Sequence, residues 1–180
     1  MTKLDRSGSK LTDRTSLFAK KITLEFVRIS DLSASGRKEE ARRAASELYA
    51  TFPQEATPNF IMALILAEDG KKTNAVPYAE RAERLAQDNA AYKVFLGKLY
   101  VDLGMIEFAP DLLHKAFAMD KTLYQAPLAL AKYYYEVGQG DRALHYYDQA
   151  LPVLPTASVA AVRAYRAECL RSLGRVAEAE

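Results

Sequence analysis

The side chains able to make or break bonds are few. His114 and His145 are the only histidines and Cys169 is the only cysteine, and neither histidine stands with cysteines or carboxylates at the spacing a metal site needs. Both histidines are expected to be partly exposed surface residues. Cys169 lies among apolar neighbours in AYRAECLRSL, a setting for a buried, inert thiol, whereas a nucleophilic thiolate needs an electropositive one. The sequence has no Walker loop, nucleophile elbow or dinucleotide fingerprint. Gln139-Gly140 is too short a turn to cradle phosphate. These residues imply no catalytic group, no metal and no cofactor.

What remains is the chemistry of recognition. Lys98 and Asp102, and Lys132 and Glu136, stand four residues apart, a spacing that lets opposite charges on one helix neutralise each other. The other option is that Lys98 and Lys132 together receive an acidic side chain or a terminal carboxylate from a peptide. Residues 129–151, ALAKYYYEVGQGDRALHYYDQAL, gather five tyrosines around a pair of glycines. A rigid ring with a polar tip is common at interface hot spots, so this stretch asks which rings are core and which face a partner.

The elements that would position these groups must be built from the rest of the chain. With 49% apolar and 27% charged side chains over 180 residues, the sequence can bury a core without a disulfide or a metal. The segment MTKLDRSGSKLTDRTS has no signal-peptide core, and no window reaches the roughly 20 apolar residues that span a bilayer. The expectation is a cytoplasmic chain, or a periplasmic one if an export signal has been removed. The formal charge of +2 is carried entirely by residues 1–14, through Lys3, Arg6, Lys10 and Arg14 against Asp5 and Asp13. The neutral remainder lacks the basic footprint of a nucleic-acid-binding protein. Residues 1–14 are expected to form a disordered arm, and residues 15–180 the folded part.

An internal period organises that folded part. Glycines stand at Gly36, Gly70, Gly104, Gly138 and Gly174, and alanines at Ala41, Ala75, Ala109, Ala143 and Ala179; both series have spacings of 34, 34, 34 and 36. At average glycine usage the glycine series alone has a chance of roughly 10⁻⁵. Before each glycine the apolar residues recur with a helical period, as in Leu96, Gly97, Tyr100 and in Leu130, Ala131, Tyr134, marking one buried face. The glycine can end that helix in a left-handed conformation. A second helix is expected to begin near Thr73, Glu107 or Asp141, with Pro77 and Pro110 in its first turns. Each unit is a helical hairpin, and where two helices cross closely one contact residue must be small. Gly97 or Ala131 facing Ala109 or Ala143 meets that need.

These residues resemble the tetratricopeptide repeat family, whose pattern of W-x₂-L-G-x₂-Y, A-x₃-F and P runs over 34 residues. The third unit offers Leu96, Gly97, Tyr100, Ala109 and Leu113, with Lys93 in place of the tryptophan, and the fourth Leu130, Ala131, Tyr134, Ala143, Tyr147 and Pro155. The resemblance covers about residues 22–180, as units near 22–55, 56–89, 90–123, 124–159 and a truncated 160–180. It implies an all-α, right-handed superhelical solenoid of about four and a half antiparallel helix-turn-helix repeats. In such a solenoid the first helices line a concave surface. Counting around them, the groove is expected to receive Phe26, Phe60, Val94 and Leu128, then Ser30, Leu64, Lys98 and Lys132, then Glu68, Asp102 and Glu136, with Val101 and Tyr135 alongside. Tyr134 and Tyr147 take the packing positions between helices, Tyr133 the seam between units, and Tyr146 the outer surface or the next seam. The Lys and Asn clamp by which some family members hold chaperone tails is not matched here.

The resemblance therefore implies a non-catalytic scaffold that binds a peptide or partner protein in its groove. A rival expectation is a targeting or regulatory segment of a larger enzyme or envelope polysaccharide-assembly protein, and a third is an oligomerisation module. Because the fifth unit stops as its second helix begins, the expectation is a longer natural protein or an end that docks on a second copy of the chain.

Overall fold

The computed structural model describes the backbone of residues 6–179 and the side chains of residues 16–179. Among the described residues there are nine α-helices and no strand. No described helix is long and apolar enough to cross a membrane. The chain divides into two compact units, Met1–Leu85 and Ala86–Glu180.

The first unit holds α1 (Arg6–Ala34), α2 (Lys38–Thr51), α3 (Ala56–Glu68) and α4 (Lys72–Leu85). Residues 1–5 of the expected arm lie outside the described residues, and residues 6–14 fall within the span of α1. Extending a helix adds one hydrogen bond per residue ordered, which costs far less than nucleating one. Consecutive helices pack on each other and α1 also packs on α3. The apolar faces of α1, α2 and α3 meet in a core of Ile22, Ile29, Leu32, Ala41, Ala45, Leu48, Ile61 and Ile65. Buried Asn59 fastens the entry to α3, its Nδ2 donating to the carbonyls of Pro53 at 2.9 Å and Glu55 at 2.7 Å. Arg42 of α2 forks onto the carboxylate of Asp69 at 2.8 and 2.7 Å, tying the first hairpin to the end of α3. Pro77, expected in a first turn, lies inside α4, where it removes one helix hydrogen bond.

The second unit holds α5 (Ala90–Asp102), α6 (Ala109–Met119), α7 (Gln125–Glu136), α8 (Gly140–Ala150) and α9 (Thr156–Ser172). The second helix of the third repeat starts later than expected, after a 3-10 turn over Ile106–Phe108. The last helix starts at Thr156, before the expected residue 160. Asn89 caps α5 by accepting from the Tyr92 N–H at 3.2 Å. Here too each helix packs on the next, and α5 packs on α7.

The two series of small residues explain the hairpins. All five register glycines have positive φ, from +73° to +77°, a region that costs other residues a clash with Cβ. At Gly138 the following Gln139 N–H reaches back to the Tyr134 carbonyl at 2.8 Å and the glycine N–H to Tyr135 at 3.0 Å, a Schellman closure of the helix end. The same pair of bonds closes the helices at Gly36, Gly70, Gly104 and Gly174. Ala41, Ala75, Ala109 and Ala143 are completely buried. A Cβ on Gly97 would stand 2.5 Å from Leu113 Cδ2 and 3.6 Å from the Ala109 carbonyl oxygen, which is the close crossing expected from sequence. Lys93, in the place of the family tryptophan, is buried; its long aliphatic stem fills part of the space a ring would occupy.

Candidate functional site

A cavity of about 590 Å³ opens in the second unit, within the size range of ligand pockets. Its floor is α7, which presents Gln125, Leu128, Ala129, Lys132, Tyr135 and Glu136. Residues three and four apart on a helix share a face, and this set follows that spacing. Lys98 of α5 stands on one side, and Tyr165 and Glu168 of α9 on the other. Tyr124, Tyr147 and Val162 complete the walls.

The structure brings together five of the residues expected to line a groove: Lys98, Leu128, Lys132, Tyr135 and Glu136. Asp102 joins them through an ion pair with Lys132. Five more, Phe26, Ser30, Phe60, Leu64 and Glu68, lie in the first unit. There Phe26 packs against the hydrophobic core, Phe60 and Leu64 are half-buried, and exposed Glu68 accepts a hydrogen bond from Ser33 Oγ at 2.5 Å. Val94 and Val101, both expected in the groove, are buried in the second unit.

The expected pairing of charges along each helix is not found. Lys132 Nζ donates to Asp102 of the neighbouring α5 instead of Glu136 of its own helix. The cross-helix partner wins because it is only 19% exposed in its side chain, and a partly desolvated carboxylate attracts a cation more strongly than one in open water. Lys98, Glu136 and Glu168 are exposed and make no ion pair with another described residue.

The rings divide as follows. Tyr134 and Tyr147 are buried, in keeping with the packing role read from the sequence. Tyr146 stacks on Tyr134 with centroids 5.4 Å apart and planes within 1° of parallel, and meets Phe117 edge-on at 5.9 Å, so it fills the seam between α6 and α8. Tyr133 meets Tyr134 at 5.0 Å. Tyr135 alone of the five enters the cavity as an exposed ring, at 38% exposure. Burial, with the neighbouring Cys169, Tyr135, Tyr165 and Glu168, pushes the Tyr147 phenol up to about 12. It therefore stays neutral and can donate a hydrogen bond at ordinary pH.

Sequence reasoning missed the α9 wall. The step from the fourth repeat to the fifth is 36 residues, so Glu168 is the register counterpart of Lys98 and Lys132; applying that offset would have found it. It also missed Tyr124 and Gln125, which precede or open α7. His114 is exposed, as expected. It also touches two phenols, with Nε2 2.9 Å from Tyr134 Oη and Nδ1 3.5 Å from Tyr146 Oη. Partial burial of the ring holds its imidazole below the ordinary value.

Cys169 is buried, its thiol donating to the Gly140 carbonyl at 3.4 Å, and burial raises its pKa. Gly140 is not a free turn residue. It opens α8, and a Cβ there would stand 2.8 Å from Leu173 Cδ2. Among the described residues no three His, Cys, Asp or Glu side chains gather as a metal site. The cavity offers aromatic faces, two lysines, one of them paired with Asp102, and two carboxylates.

Comparisons with known proteins agree with this architecture. The family model described as tetratricopeptide repeat matches residues 26–91 and 128–180. No curated protein matches the chain in sequence. Among solved structures, MamA AMB-1 is similar over 86% of this chain and 90% of its own, at 19% identity and a TM-score of 0.71. A second MamA crystal structure covers 84% and 87%, at 17% identity and a TM-score of 0.70. The APC/C hetero-tetramer Cut9-Hcn1 is similar over 88% of this chain and 32% of that one, at 20% identity and a TM-score of 0.76.

Proposed function

The chain belongs to the tetratricopeptide repeat family, and on that premise we propose that it is a non-catalytic interaction scaffold whose tyrosine-lined cavity takes a peptide segment of a partner protein. The observation that carries this reading is that the exposed rings of Tyr135 and Tyr165 line one cavity together with the apolar Leu128 and Val162. Large rings with polar tips lose little rotamer freedom on binding and bury much area, so they supply affinity at modest entropic cost. The fold supports the same reading. A helical repeat unit keeps its shape while its surface side chains vary, which suits it to holding partners. A similar chain occurs in the Cut9-Hcn1 hetero-tetramer, a protein assembly.

The test is a comparison of proteins captured by the intact chain and by a Lys98→Glu, Lys132→Glu, Tyr135→Ala variant of equal helicity. The reading expects partners that the variant loses. Identical partner sets would defeat it.

A further inference from the structure

The cavity is not electrically uniform, and its two sides lack opposite charges. Glu136 at the end of α7 and Glu168 of α9 are exposed carboxylates that line it. Lys132, which lines the cavity with them, is paired with Asp102; on and beyond α9, Arg166 pairs with Asp148 at 2.7 Å and Arg175 with Glu178 at 2.7 Å and Asp141 at 3.4 Å. Arg171 Nε donates to the Ala167 carbonyl of its own helix at 3.3 Å. On the α5 side Lys98 has the opposite need, a cation without an ion-paired anion among the described residues.

The rings add to the attraction at the α9 corner. Tyr135 and Tyr165 are 38% and 59% exposed and line the same cavity as the two carboxylates. An aromatic face carries partial negative charge and draws a cation toward it, so rings and carboxylates favour the same guest. Lys98 and Glu168 stand on helices either side of α7.

We infer that the cavity selects an extended peptide of defined charge polarity: a Lys or Arg side chain against Tyr135, Tyr165, Glu136 and Glu168, and an Asp or Glu further along the peptide over Lys98. This rests on the reading above that the cavity binds peptides. It adds the chemistry of the occupant. A peptide carrying acidic groups alone satisfies Lys98 and places its charge against two carboxylates; the polarised peptide satisfies both ends.

The probe is a random-peptide display library selected on the full chain, followed by fluorescence anisotropy with the enriched peptides. The chains compared are wild type, Glu136→Gln with Glu168→Gln, Lys98→Gln, and Tyr135→Ala, each checked by circular dichroism for unchanged helicity. The enriched peptides should pair a basic with an acidic residue at one constant separation. Replacing the basic residue by Ala should weaken binding to wild type about tenfold, the scale of one desolvated cation–ring contact with its ion pair, and hardly weaken binding to the double Gln chain. Replacing the acidic residue should matter to wild type and not to Lys98→Gln. Peptides that depend on Tyr135 yet show no basic residue, or bind the double Gln chain as tightly, would overturn the charge polarity and leave peptide binding standing. If no enriched peptide depends on Tyr135, both readings fall.

Discussion

Replacing Gly97 by alanine sets two effects of opposite sign against each other. Gly97 is inside α5, where alanine is favoured over glycine by about 1 kcal/mol of helix propensity. The new methyl, however, would lie 2.5 Å from Leu113 Cδ2 and 2.7 Å from its Cγ, against about 3.5–4 Å for a relaxed carbon contact. Leu113 is completely buried, and its Cγ cannot swing away as a free chain end could. Overpacking of this kind costs about 1–3 kcal/mol, and the overlap at two atoms places it in the upper part of that range. The expected net result is a loss of about 1–2 kcal/mol, read by urea unfolding with far-UV ellipticity, since the sequence has no tryptophan. Leu113→Ala alone should cost about 2–5 kcal/mol. The double variant should lose less than the two singles summed, because the new methyl fills part of the space vacated. A Gly97→Ala chain stabilised by about 1 kcal/mol, the propensity effect alone, would refute the close crossing of α5 and α6.

Gly138 has φ of +74°, and a methyl added there would meet nothing within 4 Å, so Gly138→Ala should lose about 1–2 kcal/mol through backbone strain alone, measured by the same unfolding curve. The His114 imidazole is held below its ordinary value by burial, with Asp111 opposing and Arg142 assisting. Its native state therefore favours the neutral ring, and the stability it contributes is complete above about pH 6.5 and declines as pH falls below that. Unfolding midpoints of wild type and His114→Gln should accordingly show a steeper acid loss in wild type. Asp69 is held below its ordinary 3.8 by the hydrogen bonds from Arg42, so its contribution is present above that pH and lost as pH falls through the lowered value. Asp69→Asn should be less stable than wild type at neutral pH, with the gap closing in acid.

Much of the fold was legible because its cause is local. A glycine that ends a helix with positive φ and an alanine at a crossing act through their own backbone and lack of side chain, and they recur at a constant interval. The buried Tyr134 and Tyr147 followed from the same register. What escaped the sequence depends on neighbours far along the chain. Lys132 had a carboxylate four residues away and chose one thirty residues back, a choice set by burial and invisible to spacing. Gly140 reads as a turn in the sequence because its reason for lacking a side chain is the distant Leu173. The α9 wall of the cavity escaped because two extra residues shift the fifth repeat, moving Tyr165 and Glu168 out of the 34-residue count.

The central claim is that the cavity between α5, α7 and α9 is the surface that meets a partner. Amide chemical-shift mapping of the isotope-labelled chain, titrated with a peptide selected on it, addresses this residue by residue. The largest changes should fall on Lys98, Leu128, Lys132, Tyr135 and Tyr165. Changes confined to α2, α4 or the outer faces of α6 and α8, with those five signals unmoved, would contradict it.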